Sequence, residues 1–315
     1  ILDRLGLLSY DPHVLSTDKV YELAADFGRS ANWAVDAGYD IIHIAGANMG
    51  IVHQFLSPFY NRRDDEFGDG VRFLELVASE IRQRCGDVPL MTKVPAESST
   101  PPGVGPHLSD ADAVRICQRL EAAGFDALVP VTGSVIWDMS IIKGDYPSRV
   151  WNDDRFINGY DEAFGGPWRR RLAAAATWLD SRFYTYEPAW NSGLCRRVRE
   201  RVDVPVLAEG GIRTRGQIDD LLGSDCDLVG LGRPFYAEPR LPARLLTADP
   251  DTAVVCENCN NCTVPQAAGE PGVCRTPAVL AEAGRLRKAG AYDRPPQGGG
   301  ETPSGEAAST DSTDD

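Results

Sequence analysis

Cys256, Cys259, Cys262 and Cys274 follow the spacing C-x2-C-x2-C-x11-C. Three thiolates three residues apart can turn toward one centre, and a fourth can close it after a short loop. Soft thiolate ligands select zinc or an iron–sulfur cluster over hard cations. Zinc sites usually pair two C-x2-C knuckles. A tight run of three with one remote partner suits a [4Fe–4S] cluster better, and zinc stays open as the alternative. A second set of residues could bind an anion. Leu207-Ala208-Glu209-Gly210-Gly211 and Leu228-Val229-Gly230-Leu231-Gly232-Arg233 are apolar runs that close on glycine. Glycine lets backbone N–H groups approach a phosphate, and Arg233 could add a two-pronged charged contact. Tight-turn glycine is the plainer account of Gly210, Gly211 and Gly232. Lys93 lies within a largely apolar run, where a buried ammonium without an anionic partner would be costly.

These residues need elements to place them. Five short apolar runs read as parallel strands covered on both faces: Ile41 to Ala45, Pro89–Val94, Ala127–Val131, Pro205–Gly211 and Asp227–Gly232. Helical periodicity falls between them, at about Thr17 to Ala37, Phe73–Cys85, Ser109–Ala123, Leu194–Val202 and Thr214–Leu222. Ser16 or Thr17 can cap the first helix. Alternating strand and helix means a parallel α/β architecture. In an α/β barrel the loops after the last two strands commonly hold a phosphate. Residues 134–191 read as a long irregular excursion rich in aromatics, either a functional lid or a packed insertion. Residues 289–315 are mostly Gly, Pro, Ser, Thr, Asp and Glu, and read as a disordered acidic tail. The expected domains are thus a barrel portion over 1–250, a four-cysteine segment over 251–288, and the tail.

The chain has 315 residues, 43% of them hydrophobic, and a net charge of −14. That charge argues against nucleic acid and anionic membrane surfaces as partners. No stretch approaches the roughly 20 apolar residues needed to span a bilayer. Only Lys19, Lys93, Lys143 and Lys288 are lysines. Acid excess with scarce lysine matches salt-loving organisms, and a GC-rich genome would also trade Lys for Arg. Cys85, Cys117, Cys195 and Cys226 read as buried small apolar residues. Together with a thiolate cluster they point to a reducing cytoplasm.

His53-Gln54-Phe55-Leu56-Ser57-Pro58, followed by Asn61-Arg62-Arg63-Asp64-Asp65-Glu66-Phe67-Gly68, resembles the signature of the Old Yellow Enzyme family of NADH:flavin oxidoreductases. Gly232-Arg233-Pro234-Phe235 resembles that family's FMN-phosphate motif. The cysteine run is similar to its iron–sulfur branch, typified by 2,4-dienoyl-CoA reductase and trimethylamine dehydrogenase. The resemblance extends from about His13 to Arg275. It implies an FMN-binding (β/α)8 TIM barrel, of which only strands four to eight are present, in an N-terminally truncated fragment. It places Lys93 beside flavin N1 and O2, where a cation stabilises the reduced flavin. Asn48 matches the second member of the pair that grips a substrate oxygen. Ala45 replaces the first, and Gly50 replaces an expected proton-donating Tyr. His43 shares the inward face of its strand with Ala45 and is either a deeper catalytic group or a core histidine.

The expected function is an FMN- and [4Fe–4S]-dependent oxidoreductase with NAD(P)H as reductant and a small organic acceptor. No dinucleotide-binding G-x-G-x-x-G follows Cys274, so a separate reductase or electron carrier is expected to serve the cluster. The departures at Ala45 and Gly50 predict poor turnover of simple cyclic enones. The competing reading is a non-catalytic barrel whose cysteines clamp the C-terminal segment around zinc.

Overall fold

The computed structural model describes residues 14–48, 50–97, 106–133 and 142–293. Helix α1 (Thr17–Asp36) starts at Ser16, whose side chain accepts from the Lys19 backbone N–H. Strand β1 (Ile42–Ile44) leads into the short α2 (Ile51–Leu56) and then α3 (Gly70–Cys85), which Asp69 caps through Val71 N. Strand β2 (Leu90–Ala96) is followed by α4 (Asp110–Ala122), which opens on a reciprocal Ser109/Asp112 capping box. After β3 (Ala127–Thr132) come α5 (Ser148–Trp151), α6 (Asp154–Phe164), α7 (Pro167–Phe183) and α8 (Ser192–Arg199). Strand β4 (Leu207–Glu209) precedes α9 (Arg215–Ser224), which a Thr214/Gln217 box caps. Strand β5 (Leu228–Gly230), α10 (Leu241–Leu245) and α11 (Pro277–Lys288) complete the described chain.

All five strands run parallel. β1 pairs with β2, β2 with β3, and β4 with β5, while a single bridge from Leu128 to Val206 joins β3 to β4. The spatial order is therefore the chain order, the succession of a β/α barrel. The register sets His43 beside Met91 and Lys93 beside Val129. With a period of two, His43, Met91, Lys93, Val129, Val131, Leu207 and Glu209 share one face. Val129, Val131, Met91 and Leu207 pack together there with Ala47. Ile44, Leu90, Val94, Leu128, Val206 and Ala208 face the helices, in a larger core with Phe73, Leu74, Val77 and Ile81 of α3. The expected strands are all present, each within two or three residues of its predicted ends.

The aromatic stretch departs from expectation. Its described part is helical, not irregular. Phe156, Tyr160 and Phe164 recur every fourth residue along α6 and pack with Trp151, Val150 and, from the cysteine segment, Val264 and Ala268. Gly165-Gly166 ends that helix, and Pro167 starts the next at its first turn, where proline is favoured. These helices make a second small core under the cysteine segment. The Tyr160 hydroxyl is buried within it and has no hydrogen-bond partner among the described residues.

That orphan has a testable consequence. Burial pushes the Tyr160 phenol up to about 12, from an ordinary value of 10.0. The neutral form is the one the fold favours. Its contribution is fully present below pH 10 and is lost as pH rises toward 12. Tyr160→Phe removes a group that gave up water and gained no partner. At pH 7 the variant is expected to match the parent or to gain up to about 1 kcal/mol. At pH 11 it should resist unfolding better than the parent. Urea midpoints at the two pH values check this, and a clear loss at pH 7 would mean the hydroxyl has a partner.

Tyr292 lies inside the segment expected to be a tail, yet it is buried. Its hydroxyl donates to Glu238 at 2.9 Å. Arg244 Nε also donates to Glu238 at 2.8 Å, and the Val255 N–H does so at 2.7 Å. This buried junction ties the end of α11 to the segment that enters the cysteine run. The ordered C-terminal segment thus reaches past residue 289, and the rest of the expected tail, 294–315, lies outside the described residues. Among the described residues, no helix is long and apolar enough to cross a membrane.

Candidate functional site

The C-terminal ends of β2, β4 and β5 open into a cavity of about 550 Å³, within the range of small-molecule and cofactor sites. Lys93, Asn48, Gly210, Gly211, Gly232 and Arg233, all singled out from the sequence, line this one cavity. Gly210 and Gly211 have φ of 101° and 70°, a region that disfavours any other residue. A Cβ at Gly210 would stand 2.6 Å from the Trp190 ring, and one at Gly211 would stand 2.2 Å from the Glu187 carbonyl. Trp190 therefore packs directly under the glycine loop. Its indole Nε1 is buried with no hydrogen-bond partner among the described residues. The Lys143 ammonium sits 5.3 Å from its ring centre.

Arg233 opens a 3-10 turn just past β5. It donates through Nη2 to the Lys143 carbonyl at 2.9 Å and through Nη1 to Asn260 Oδ1. No described carboxylate pairs with it. Burial lowers the pKa of its guanidinium, while the nearby Cys256 and Cys262 thiols act the other way. A half-buried guanidinium with only neutral acceptors marks a place for an anion. Arg213, in the loop after β4, lies 5.2 Å from the Tyr186 ring centre, and the Tyr186 hydroxyl donates to the Gly211 carbonyl at 2.9 Å. Lys93 pairs with Glu209 across the inner face. Among the described residues, the cavity lining holds three cations, Lys93, Arg213 and Arg233, against one carboxylate, Glu209. That balance suits a dianionic phosphate, and the glycine cradle and the orphaned indole donor suit the body of a flavin nucleotide. The residues present fit FMN.

His43 does not line this cavity. It lies largely exposed on the inner face of β1; partial desolvation by its neighbours lowers its pKa first, then Lys93, with Glu209 opposing. Asn48 takes a left-handed conformation, φ 62°, at the cavity edge. The motif that carries the family resemblance also lies outside the cavity lining. His53 Nε2 and Ser57 Oγ meet the buried Glu97 carboxylate at 3.1 and 2.9 Å. Asn61 Nδ2 donates to the Phe55 and Phe67 carbonyls at 2.8 and 2.7 Å. These residues clamp α2 and the following loop against β2.

The cysteine segment forms one wall of the cavity, through Asn258, Thr263 and Gln266. Asn258 and Asn260 have φ of 57° and 56°, which reverses the chain between the cysteines. All four thiols are partly buried and free. Burial pushes Cys262 up to about 11; Arg233 pulls it down, and Cys256 and Cys259 push it further up. Cys259 Sγ lies 3.0 Å from Thr276 Oγ1 and 3.4 Å from Asn261 Nδ2. By chemistry the thiols suit a soft centre. As they stand, no group of three or more described His, Cys, Asp or Glu residues is arranged to hold a metal ion. The sequence reading missed Glu209, Arg213, Trp190 and Asn260. Glu209 and Arg213 flank the flagged Gly210-Gly211 pair, whereas Trp190 and Asn260 arrive from distant segments and carried no local signal.

The model of the NADH:flavin oxidoreductase / NADH oxidase family matches residues 4–158. The 4,4'-dithiodibutanoate disulfide reductase of Rhodococcus erythropolis is 26% identical over 84% of this chain and 64% of its own length. The NADPH dehydrogenase of Bacillus subtilis is 32% identical over 43% of this chain and 40% of its own. The chain thus spans less than two thirds of these curated relatives. Among solved structures, a 2-naphthoyl-CoA reductase complex superposes with a TM-score of 0.61 at 15% identity, over 86% of this chain and 36% of that one. That likeness concerns the fold alone. Over residues 4–158 and in these curated relatives, the chain is similar to members of the NADH:flavin oxidoreductase / NADH oxidase family.

Proposed function

We propose that the chain is the FMN-binding part of an oxidoreductase that takes reducing equivalents from NAD(P)H and delivers them to a small organic acceptor. The observation that carries this reading is the glycine-lined cavity at the ends of β4 and β5, with three cations facing one carboxylate. In an eight-stranded barrel these two strands would be the seventh and eighth, and the five described strands the fourth to eighth. FMN, when bound, supplies hydride acceptance and donation. Arg233 and Arg213 would hold its phosphate, and Gly210, Gly211 and Gly232 would admit it close to the backbone. Lys93 would stand at the pyrimidine edge, where a cation stabilises negative charge. Asn48, just past β1, would donate to a substrate oxygen, and His43 would act from β1 itself.

Ala45 and Gly50 offer no donor, so simple cyclic enones would turn over poorly. Loss of one such donor costs on the order of 10²–10³ in rate. Ala45→His is expected to restore part of it, read as steady-state cyclohexenone reduction; brisk turnover by the parent, unmoved by the substitution, would sink the assignment.

Cys256, Cys259, Cys262 and Cys274 would ligate a [4Fe–4S] cluster, fed by a separate reductase or electron carrier in a reducing cytoplasm. Two measurements test the whole reading. Titration with FMN should quench flavin fluorescence to saturation, and anaerobically purified protein should carry about four irons per chain. Failure to bind FMN would end the flavin reading, and stoichiometric zinc without iron would end the cluster reading.

A further inference from the structure

We propose that Glu209 sets the electron affinity of the bound flavin by sequestering the Lys93 ammonium; the inference rests on the FMN reading above. Lys93 rises from β2 and Glu209 from the end of β4, two strands that are not neighbours. Their side chains meet across β3, above Val129 and Val131, which are 0% and 2% exposed. An apolar floor of this kind strengthens the attraction relative to water. The backbone that carries Glu209 is also held in place. Asn191 Nδ2 donates to the Glu209 carbonyl at 2.7 Å, and Asn191 Oδ1 in turn accepts from the Thr132 N–H at 2.7 Å. Glu209 is the only acid lining the cavity among the described residues. Among the described residues, Glu209 forms its ion pair with Lys93, and none is recorded to Arg213 or Arg233.

Reduction adds negative charge to the flavin ring system, and a cation at its edge stabilises that charge. A lysine already paired to a carboxylate does so less well. The ion pair therefore biases the site toward the oxidised cofactor. Glu209 would act as a positioning residue, through Lys93, while Arg213 and Arg233 fix the phosphate in either redox state. A family member with an uncharged residue at this position would hold a freer lysine and a more easily reduced flavin.

The test uses the 315-residue chain loaded with FMN. Potentials are read by dye-equilibrated reductive titration, and dissociation constants by flavin fluorescence. Glu209→Gln should raise the affinity ratio of reduced over oxidised FMN about tenfold, equivalent to about 30 mV for a two-electron couple. Lys93→Met should move it the other way. In the Lys93→Met background, the Glu209→Gln effect should largely vanish. Glu209→Asp, whose carboxylate is one methylene shorter, should fall between the parent and the amide, and it carries the test where the amide fails to fold. In the flavin-free chain the same release should appear as faster acylation of Lys93, mapped by peptide mass against Lys19 and Lys288. An unchanged potential in Glu209→Gln overturns the proposal. So does an equal shift with and without Lys93, because the carboxylate would then act directly on the flavin. A chain that binds no FMN in any form overturns the flavin reading, and this inference falls with it.

Discussion

Replacing Arg233 with methionine is expected to weaken FMN binding about 10²-fold, because a charge-assisted pair of hydrogen bonds to phosphate is worth roughly 3 kcal/mol. Riboflavin, which has no phosphate, should lose little. The reason lies in the setting of the guanidinium. It is half-buried, its protein partners are the Lys143 carbonyl and Asn260 Oδ1, and no described carboxylate neutralises it. In the flavin-free protein two neutral acceptors offset only part of the desolvation of this charge, and an incoming anion offsets more of it. Methionine keeps the bulk and removes the charge, so thermal stability without flavin should hold or rise. Parallel titrations with FMN and riboflavin decide the matter. Equal losses for both would mean that Arg233 shapes the cavity and does not read the phosphate.

The second large effect concerns stability. Glu97→Ala is expected to cost about 3–5 kcal/mol, the usual penalty for removing one partner of a buried charged network. The Glu97 carboxylate is 0% exposed. It accepts from Ser57 Oγ at 2.9 and 3.0 Å and from the Leu108 N–H at 2.9 Å, and it meets His53 Nε2 at 3.1 Å. Burial alone would raise its pKa, but the hydrogen bonds from His53, Leu108 and Ser57 outweigh burial and leave it below the ordinary value. A depressed carboxylate stabilises the fold above its unfolded pKa of 4.5, and that contribution is lost as pH falls. Alanine would strand all of these donors at once. Glu97→Gln, which keeps the shape, should cost less, about 1–3 kcal/mol. Urea unfolding at pH 7 checks both, and a loss under about 1 kcal/mol for alanine, no more than a surface change, would mean that water reaches the cluster.

Much of this fold was legible because its signals are local. Each strand is a short apolar run, and Ser16, Ser109 and Thr214 mark helix starts by side-chain chemistry, whereas the cap at Asp69 was not read and that helix was expected to start at Phe73. Helices α6 and α7 were missed for an opposite reason. Helix α7 buries none of its residues, and Trp168, Leu172, Leu179 and Phe183 stay exposed, so its sequence shows no clean polar face. Within the site, Gly210, Gly211, Gly232 and Arg233 stand beside their strands and could be read in place. The partner of Lys93 could not. Glu209 lies 116 residues further along, and only the crossing of β3 brings the two together. The motif around His53 was readable as a resemblance, yet its residues turn out to brace the end of β2 and do not line the cavity.

The strand order has a consequence for synthesis. β1 to β5 stand side by side in the order in which they are translated, joined pair by pair or, between β3 and β4, by a single bridge. A newly emerged strand finds its neighbour already made, although residues 133–206 must fold between β3 and β4 before that bridge can form. Assembly can therefore proceed from one edge at the pace of the ribosome. The last unit to dock is β5, with Arg233 immediately behind it. On this route the anion site is the final part of the arc to form, so the cofactor would meet a scaffold whose other strands are already paired.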